Sequence, residues 1–269
     1  MAQTDRVFAG SIPALYDRYL GPLIFEPYAA DLAERVRDIG AFRILETAAG
    51  TGIVTRSLAR ALPGSAQIVA TDLNQPMLDH AAAHNSAFPI TWQRADALAL
   101  PFPDQSFDAV VCQFGAMFFP DKVAGYREAL RVLRPGGRFL FNVWDRIAEN
   151  EFTDVVTTAV AALFPDDPPS FLARTPHGYH DTAAIRRELA AAGFATVAIE
   201  TIVQRSRASS HRDPAIGFCQ GTPMRSEIEA RDATRLDEAT EAAAAALAAR
   251  FGFGPIEGKI QAHVITASA

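Results

Sequence analysis

Cysteine is scarce in this chain of 269 residues: it occurs twice, at Cys112 and Cys219. Neither has a partner at a metal-ligand spacing, which excludes a disulfide scaffold and a cysteine-based metal centre and fits a reducing, cytoplasmic compartment. Long apolar runs are missing as well. No stretch reaches the ~20 residues of a membrane span, and the Ala242–Ala246 tract, flanked by Glu241 and Arg250, reads as a soluble helix. The first residues, Met1 to Arg6, lack the basic start and apolar stretch of a signal peptide. Basic charge is not concentrated: 25 Lys and Arg stand against 31 Asp and Glu, a net charge of −6. Arg205, Arg207 and Arg212 are scattered rather than gathered into a stripe, which argues against a nucleic-acid partner. No internal repeat is visible. A chain of this length can bury a sizeable core unaided and fits one α/β domain, 1–269, carrying insertions.

What is present is concentrated between Ile44 and Asp72. The run Phe42-Arg43-Ile44-Leu45 ends on Glu46 and breaks into Ala48-Ala49-Gly50-Thr51-Gly52. A helical pattern follows (Ile53, Val54, Ser57, Leu58, Leu62), then a second apolar run, Ile68-Val69-Ala70, ending on Thr71-Asp72. Strand, glycine turn, helix, strand and terminal acid make the first half of a nucleotide-binding α/β sheet. The two glycines would let the backbone pass close to a ligand. Asp72, twenty residues past Gly52, would offer its carboxylate to two ribose hydroxyls, so the ligand carries an adenosine. A dinucleotide fingerprint would need a third glycine, and this chain has Thr55 there. A phosphate-binding loop would need Gly-Lys-Ser/Thr, which is absent. Glu46 suits a ligand bearing an amino group better than one bearing a pyrophosphate.

The chain continues with a strand at Ile90-Thr91-Trp92-Gln93, Ala95-Asp96-Ala97 at its end, and Leu100-Pro101-Phe102-Pro103. A fourth strand, Phe107 to Cys112, precedes a helix over about Pro120 to Leu133, the turn Arg134-Pro135-Gly136-Gly137, and a strand Arg138 to Trp144. At this point the chain resembles the class I S-adenosylmethionine-dependent methyltransferases, closest to the methyltransferase type 11 branch that includes ubiquinone and menaquinone biosynthesis methyltransferases. The matching stretches are Leu45 to Gly52, Thr71 to Met77, Ala95 to Phe102, Ser106 to Asp121 and Leu130 to Gly137. Ala48 departs from the glycine most common in that family.

The resemblance implies a Rossmann-like, seven-stranded, mostly parallel sheet flanked by helices, with S-adenosyl-L-methionine as cofactor. It implies that the Ala48–Gly52 turn passes beneath the methionine moiety and that Asp72 holds the ribose. Leu73 and Met77 would then pack on the adenine, Asp96 would accept from its amino group near the backbone of Ala97, and Gln113 and Phe114 would lie near the sulfonium. Glu46 completes the cofactor set. Each residue also has a plainer reading: Asp96 as the start of a turn, Met77 as core, Gln113 as a closer of strand hydrogen bonds.

Outside the cofactor-binding core, 41–145, the sequence gives less. The N-terminal cap, 1–40, has helical spacing at Ile12, Leu15, Tyr16, Tyr19 and Leu20, broken at Gly21-Pro22, then a second helix over about Pro27 to Ile39. Family likeness puts such helices over the cofactor mouth, where Tyr16 and Tyr19 would touch cofactor or acceptor; packing of aromatics onto the sheet is the alternative. The half at 146–269 reads as the acceptor side, with a strand at Thr196 to Val203, a helical insertion at 213–252 that could cap the pocket, and a last strand at Gly258 to Thr266.

Phe114, Met117, Phe118 and Phe119 after the fourth strand imply a small apolar or aromatic acceptor, although such a cluster also suits a core. No dedicated base is evident; His177, Tyr179 and His180 head the candidates, with His211 behind them, and no metal is expected. A nicotinamide-dependent oxidoreductase or a non-catalytic, cofactor-binding regulatory protein are the rival readings. Oligomeric state is open, a homodimer included.

Overall fold

The computed structural model describes Gly10, residues 12–84 and residues 88–269; Met1 to Arg6 lie outside them. Helix α1 (Ile12–Leu15) leads into a π-helix over Tyr16–Phe25, followed without interruption by α2 (Glu26–Asp38). Gly21-Pro22 therefore does not break the helix as its sequence predicts. Proline removes one backbone donor and crowds the preceding turn, and the wider π-helical turn absorbs that misfit where an α-helix would end.

The alternation then begins: β1 (Arg43–Glu46), α3 (Ile53–Ala61), β2 (Gln67–Asp72), α4 (Gln75–Ala83), β3 (Ile90–Arg94), β4 (Phe107–Gln113), α5 (Lys122–Val132) and β5 (Leu133–Trp144). Next come α6 (Glu151–Leu163), α7 (Phe171–Arg174), α8 (Thr182–Ala192), β6 (Thr196–Ala208), three helices α9 (Arg212–Gln220), α10 (Met224–Asp232) and α11 (Leu236–Phe251), and β7 (Ile256–Ser268). The helical insertion read from the sequence is thus α9 to α11, and the last two strands run longer than their apolar alternation suggests. No helix among the described residues is long and apolar enough to cross a membrane.

The sheet has seven strands in the order β3-β2-β1-β4-β5-β7-β6. It is mostly parallel, with an antiparallel pair at the β7–β6 end. Strands β1/β2, β1/β4, β2/β3 and β4/β5 are parallel, with Ile44 opposite both Ile68 and Ala109. The order reverses between β1 and β4, and open α/β sheets bind ligands beyond the carboxyl ends of their strands at such a switch point. The central strands are buried on both faces: Ile44, Leu45, Ala109, Val110, Val111 and Phe141 have no accessible surface. Near-continuous apolar runs in these strands are the consequence.

The chain divides into two compact units, each assembled from separate segments. One contains residues 26–143, 180–202 and 262–269; the other contains residues up to Phe25, 144–179 and 203–261. In the first, the five strands β1 to β5 dominate, and α2 is fixed by the Tyr28 hydroxyl, which donates to the Ile202 carbonyl of β6 at 3.0 Å. In the second, α11 packs on α6 and α9, and Ser206 Oγ donates to the Leu23 carbonyl at 2.7 Å.

Candidate functional site at the β1–β4 switch point

Glu46 ends β1 and is almost completely buried, 1% exposed. Burial pushes its carboxyl up to about 8; a hydrogen bond from Thr55 opposes the rise and the nearby Asp72 adds to it. The Thr55 hydroxyl, itself buried, donates to Glu46 Oε2 at 2.6 Å. Thr55 stands where a dinucleotide turn would carry its third glycine, so the residue that spoils that fingerprint is the partner of the buried acid. Three further bonds latch the turn: Thr71 Oγ1 to the Glu46 carbonyl (2.9 Å), Thr47 N–H to the Val111 carbonyl (2.9 Å) and Ala49 N–H to the Thr71 carbonyl (2.9 Å).

The two glycines of the turn have different tasks. Gly50, at φ +57, has open space where a Cβ would project. Gly52, at φ +80, would drive a Cβ to 3.0 Å from Trp92 Cη2 and 3.1 Å from Ala81 Cβ. The Cβ side of Gly50 is open, whereas that of Gly52 faces the protein's own β3 and α4.

Asp72 ends β2, 7% exposed, with its carboxyl pushed up by burial. Its Oδ2 accepts from Gly50 N–H at 2.8 Å, and its Oδ1 accepts from Asn74 N–H at 2.8 Å and Asn74 Nδ2 at 3.3 Å. A carboxylate offers about four acceptor positions. The Leu73 N–H also donates to this carboxylate, so displacement of the long Asn74 side-chain bond is what would free a position for a ligand. Because Asp72 also anchors the Gly50 turn, Asp72→Ala would disturb the turn as well as any ligand contact.

Around these acids, Met77 is buried in α4 and Leu73 is 38% exposed at the end of β2. Asp96 is exposed and accepts from Leu98 N–H at 2.9 Å, the turn-starting geometry, with Ala97 half-buried beside it. Only Oδ1 is engaged in that bond.

The segment after β4 contains features that sequence reasoning did not single out. Phe114 adopts φ +47 and Ala48 φ +52, both left-handed. For non-glycine residues this costs roughly 1–2 kcal/mol each. The two sit on facing loops: a Cβ added to Gly115 would meet Ala48 Cβ at 2.5 Å and Cys112 Sγ at 2.8 Å. The glycine that the family favours at the Ala48 position is thus matched here by a glycine across the gap. Buried Asn142 of β5 accepts from Phe114 N–H through Oδ1 at 2.9 Å, and its Nδ2 stands 3.5 Å from Gln113 Oε1. Lys122 Nζ donates to the carbonyls of Met117 (3.0 Å) and Phe119 (2.6 Å), closing the turn. Phe114 is buried with its ring edge-on to Tyr28 at 5.5 Å, Met117 is buried, and Phe118 is half-buried. A lone asparagine in the apolar run Phe139 to Trp144 was the available signal for Asn142; Gly115 and Lys122 had none.

Tyr16, Tyr19, His177, Tyr179 and His211 belong to the other unit, and His180 to the unit of the sheet. Tyr16 stacks on Phe25 at 4.8 Å between ring centres, and Tyr19 lies under the Arg18 guanidinium at 5.1 Å. His177 is buried, with Nδ1 2.8 Å from the Asp145 carbonyl. That partner can only accept, so Nδ1 carries a proton. His211 Nδ1 lies 3.2 Å from the Phe253 carbonyl. Among the described residues no group of three metal-ligating side chains forms. Cys112 and Cys219 are buried, their thiols pushed up by burial to about 11 and about 12.

The family described as "Methyltransferase domain" matches residues 44–137. A ubiquinone/menaquinone biosynthesis C-methyltransferase of Saccharophagus degradans is 30% identical over 166 residues, covering 57% of this chain and 67% of that protein. A demethylmenaquinone methyltransferase of Thermus thermophilus is 44% identical over 100 residues, covering 36% of this chain and 45% of that one. The chain therefore spans two thirds of the first relative and less than half of the second. The crystal structure of the YcgJ protein from Bacillus subtilis shares the fold, with a TM-score of 0.55 at 20% identity over 90% of this chain and 98% of that one.

Two outcomes follow from the geometry. Gly115→Ala is expected to destabilise the protein by about 1–3 kcal/mol in urea unfolding, the cost of overpacking. Ala48→Gly in that background should recover only part of it, because Cys112 Sγ still blocks the new methyl; full additivity would disprove the contact. The second concerns Glu46, whose carboxyl is raised from 4.5 to about 8 on folding. Between those values the folded state holds a proton that the unfolded state has released, so stability falls as pH rises and levels off above the upper one. Asp72 shifts in the same direction. Glu46→Gln should lack its share of this decline, and parallel wild-type and variant stability profiles from pH 4 to 9 would refute the shift.

Proposed function

Because the chain belongs to the class I S-adenosylmethionine-dependent methyltransferases, we propose that it methylates a small aromatic acceptor of the quinol or phenol type, with the cofactor seated on the Glu46–Gly52 turn. The protein is an S-adenosylmethionine-dependent methyltransferase, and the cofactor supplies an already activated methyl group. The observation that carries the seating is the buried pair Glu46 and Asp72 flanking Gly50, the glycine of this turn whose Cβ side is open.

A buried carboxylate without a cation is costly, and the methionine ammonium is the cation that would relieve Glu46. Asp72 would accept from a ribose hydroxyl in exchange for the long Asn74 side-chain bond, and Gly50 leaves space between the two acids. Leu73 and Met77 would flank the adenine, and Asp96 would take its amino group beside the Ala97 backbone. Gln113, at the end of β4, would stand near the reacting sulfur. These residues do not fit a dinucleotide: Thr55 fills the position of the third glycine and is committed to Glu46.

The acceptor class is supported by the quinone names of the two curated relatives and by the apolar segment Phe114 to Phe119. The protein's work is to orient the acceptor and exclude water, which can contribute about 7–11 kcal/mol of the barrier in favourable cases. As the acceptor's electron pair forms the new bond to the methyl carbon, the C–S pair stays on sulfur and the acceptor's proton leaves to solvent or to a base. An acceptor that ionises readily, such as a phenolate, relieves the chain of supplying a strong base. Phe114, Met117 and Phe118 are the proposed pocket residues, and His180 is the candidate for proton acceptance within the same unit.

The test is calorimetric titration with S-adenosylhomocysteine, alongside NADH and NADPH. Binding of the first alone is expected. At pH 7 the ammonium should draw Glu46 into its ionised form and release most of one proton, so the enthalpy should differ between phosphate and Tris buffers and converge at pH 9. Equal enthalpies in both buffers at pH 7 would remove Glu46 from the site. A reduced demethylmenaquinone analogue then tests the acceptor, and methyl transfer to amines but not to this quinol would overturn that assignment.

A further inference from the structure

Two residues forced into the left-handed region on adjacent loops, both at the carboxyl ends of central strands, mark a place where the surroundings over-determine the backbone. Phe114 is the more demanding of the two. Its φ of +47 places a bulky aromatic where glycine is at ease. Its ring is held edge-on to Tyr28 at 5.5 Å, Gly115 behind it lies in close contact with Ala48 and Cys112, and the following turn is clasped by Lys122.

What holds the peptide at Phe114 itself is Asn142. Its Oδ1 accepts the Phe114 N–H at 2.9 Å, although the same N–H already reaches the Asn142 main-chain carbonyl at 3.2 Å. The side chain is therefore not required to satisfy that donor. It adds a second, in-strand anchor, and its Nδ2 turns toward Gln113 Oε1 at 3.5 Å. A fully buried amide in an otherwise apolar run would cost stability relative to an aliphatic residue unless its polar atoms are engaged.

We propose that Asn142 is a positioning residue for methyl transfer: it fixes Phe114 in its left-handed conformation and thereby sets where Gln113 and its main chain stand at the end of β4, against the sulfonium. This rests on the seating of the cofactor proposed above. A positively charged sulfonium carries the methyl and the charge that S-adenosylhomocysteine lacks, whereas turn, ribose and adenine contacts are common to both. Asn142 should therefore govern the preference between the two ligands, and general loosening of the fold should not.

The experiment measures the affinities of S-adenosylmethionine and S-adenosylhomocysteine by calorimetry for the wild type and Asn142→Leu. Asn142→Leu is expected to keep its S-adenosylhomocysteine affinity within about threefold while losing about tenfold for S-adenosylmethionine, the scale of one hydrogen bond near a charged group. An unchanged ratio in Asn142→Leu, or equal weakening of both ligands, would overturn the proposal. Should Asn142→Leu fail to give a cooperative melt, Asn142→Ser, whose hydroxyl is too short to reach the Phe114 N–H, carries the same expectations. Absence of S-adenosylhomocysteine binding by the wild type would instead strike at the cofactor seating, and the proposal would fall with it.

Discussion

The hydrogen bond from Gly50 N–H to Asp72 ties the turn after β1 to the end of β2. Gly50 is left-handed and carries no side chain to pack, so the turn has little to hold it except backbone bonds. The Asp72 carboxylate supplies one of them at 2.8 Å and uses its other oxygen to order Asn74 at the head of α4. A single buried acid thus fixes both the turn and the start of the next helix. Its neighbour Glu46 is fixed independently by Thr55, so each acid has its own support and neither depends on the other for orientation. Burial raises both, Asp72 adding to the rise at Glu46, and a cationic ligand group is the natural complement.

The opposite wall of the switch point is built on a different principle. There, close packing replaces charge: Ala48, Cys112 and Gly115 meet with no space for another methyl group, and Phe114 accepts an unfavourable conformation between Tyr28 and Asn142. Strain of this kind persists only where many contacts act together. One side of the site is therefore set by acids that await a cation, the other by a loop whose shape is already complete.

Much of this was legible in the sequence because it is local. An apolar run ending in an acid, a glycine pair and a second run ending in an acid identify β1, the turn and β2 without tertiary knowledge, and Glu46, Gly50 and Asp72 fall where that pattern places them. The helical insertion also follows from the order of elements, and the seven-stranded sheet is what the resemblance to the methyltransferases implies. What was not legible depends on residues distant in the chain. Asn142 is 28 positions from Phe114, Gly115 gains meaning only when Ala48 faces it, and Thr55 read as a missing glycine until Glu46 gave it a partner. Pro22 read as a helix end because local rules do not anticipate a π-helix around it. That Trp92 lies against Gly52 is likewise not disclosed by the chain alone.

The contact between Ala48 and Gly115 also has an evolutionary consequence. Two positions that share one methyl's worth of space cannot drift separately: a chain with glycine at 48 is free to accept a side chain at 115 only if residue 112 yields as well, while a chain with alanine at 48 is bound to glycine at 115. Across homologous chains these three positions should vary as a set. Lineages that crossed from one arrangement to the other would have passed through glycine at both 48 and 115, the one intermediate that the packing tolerates.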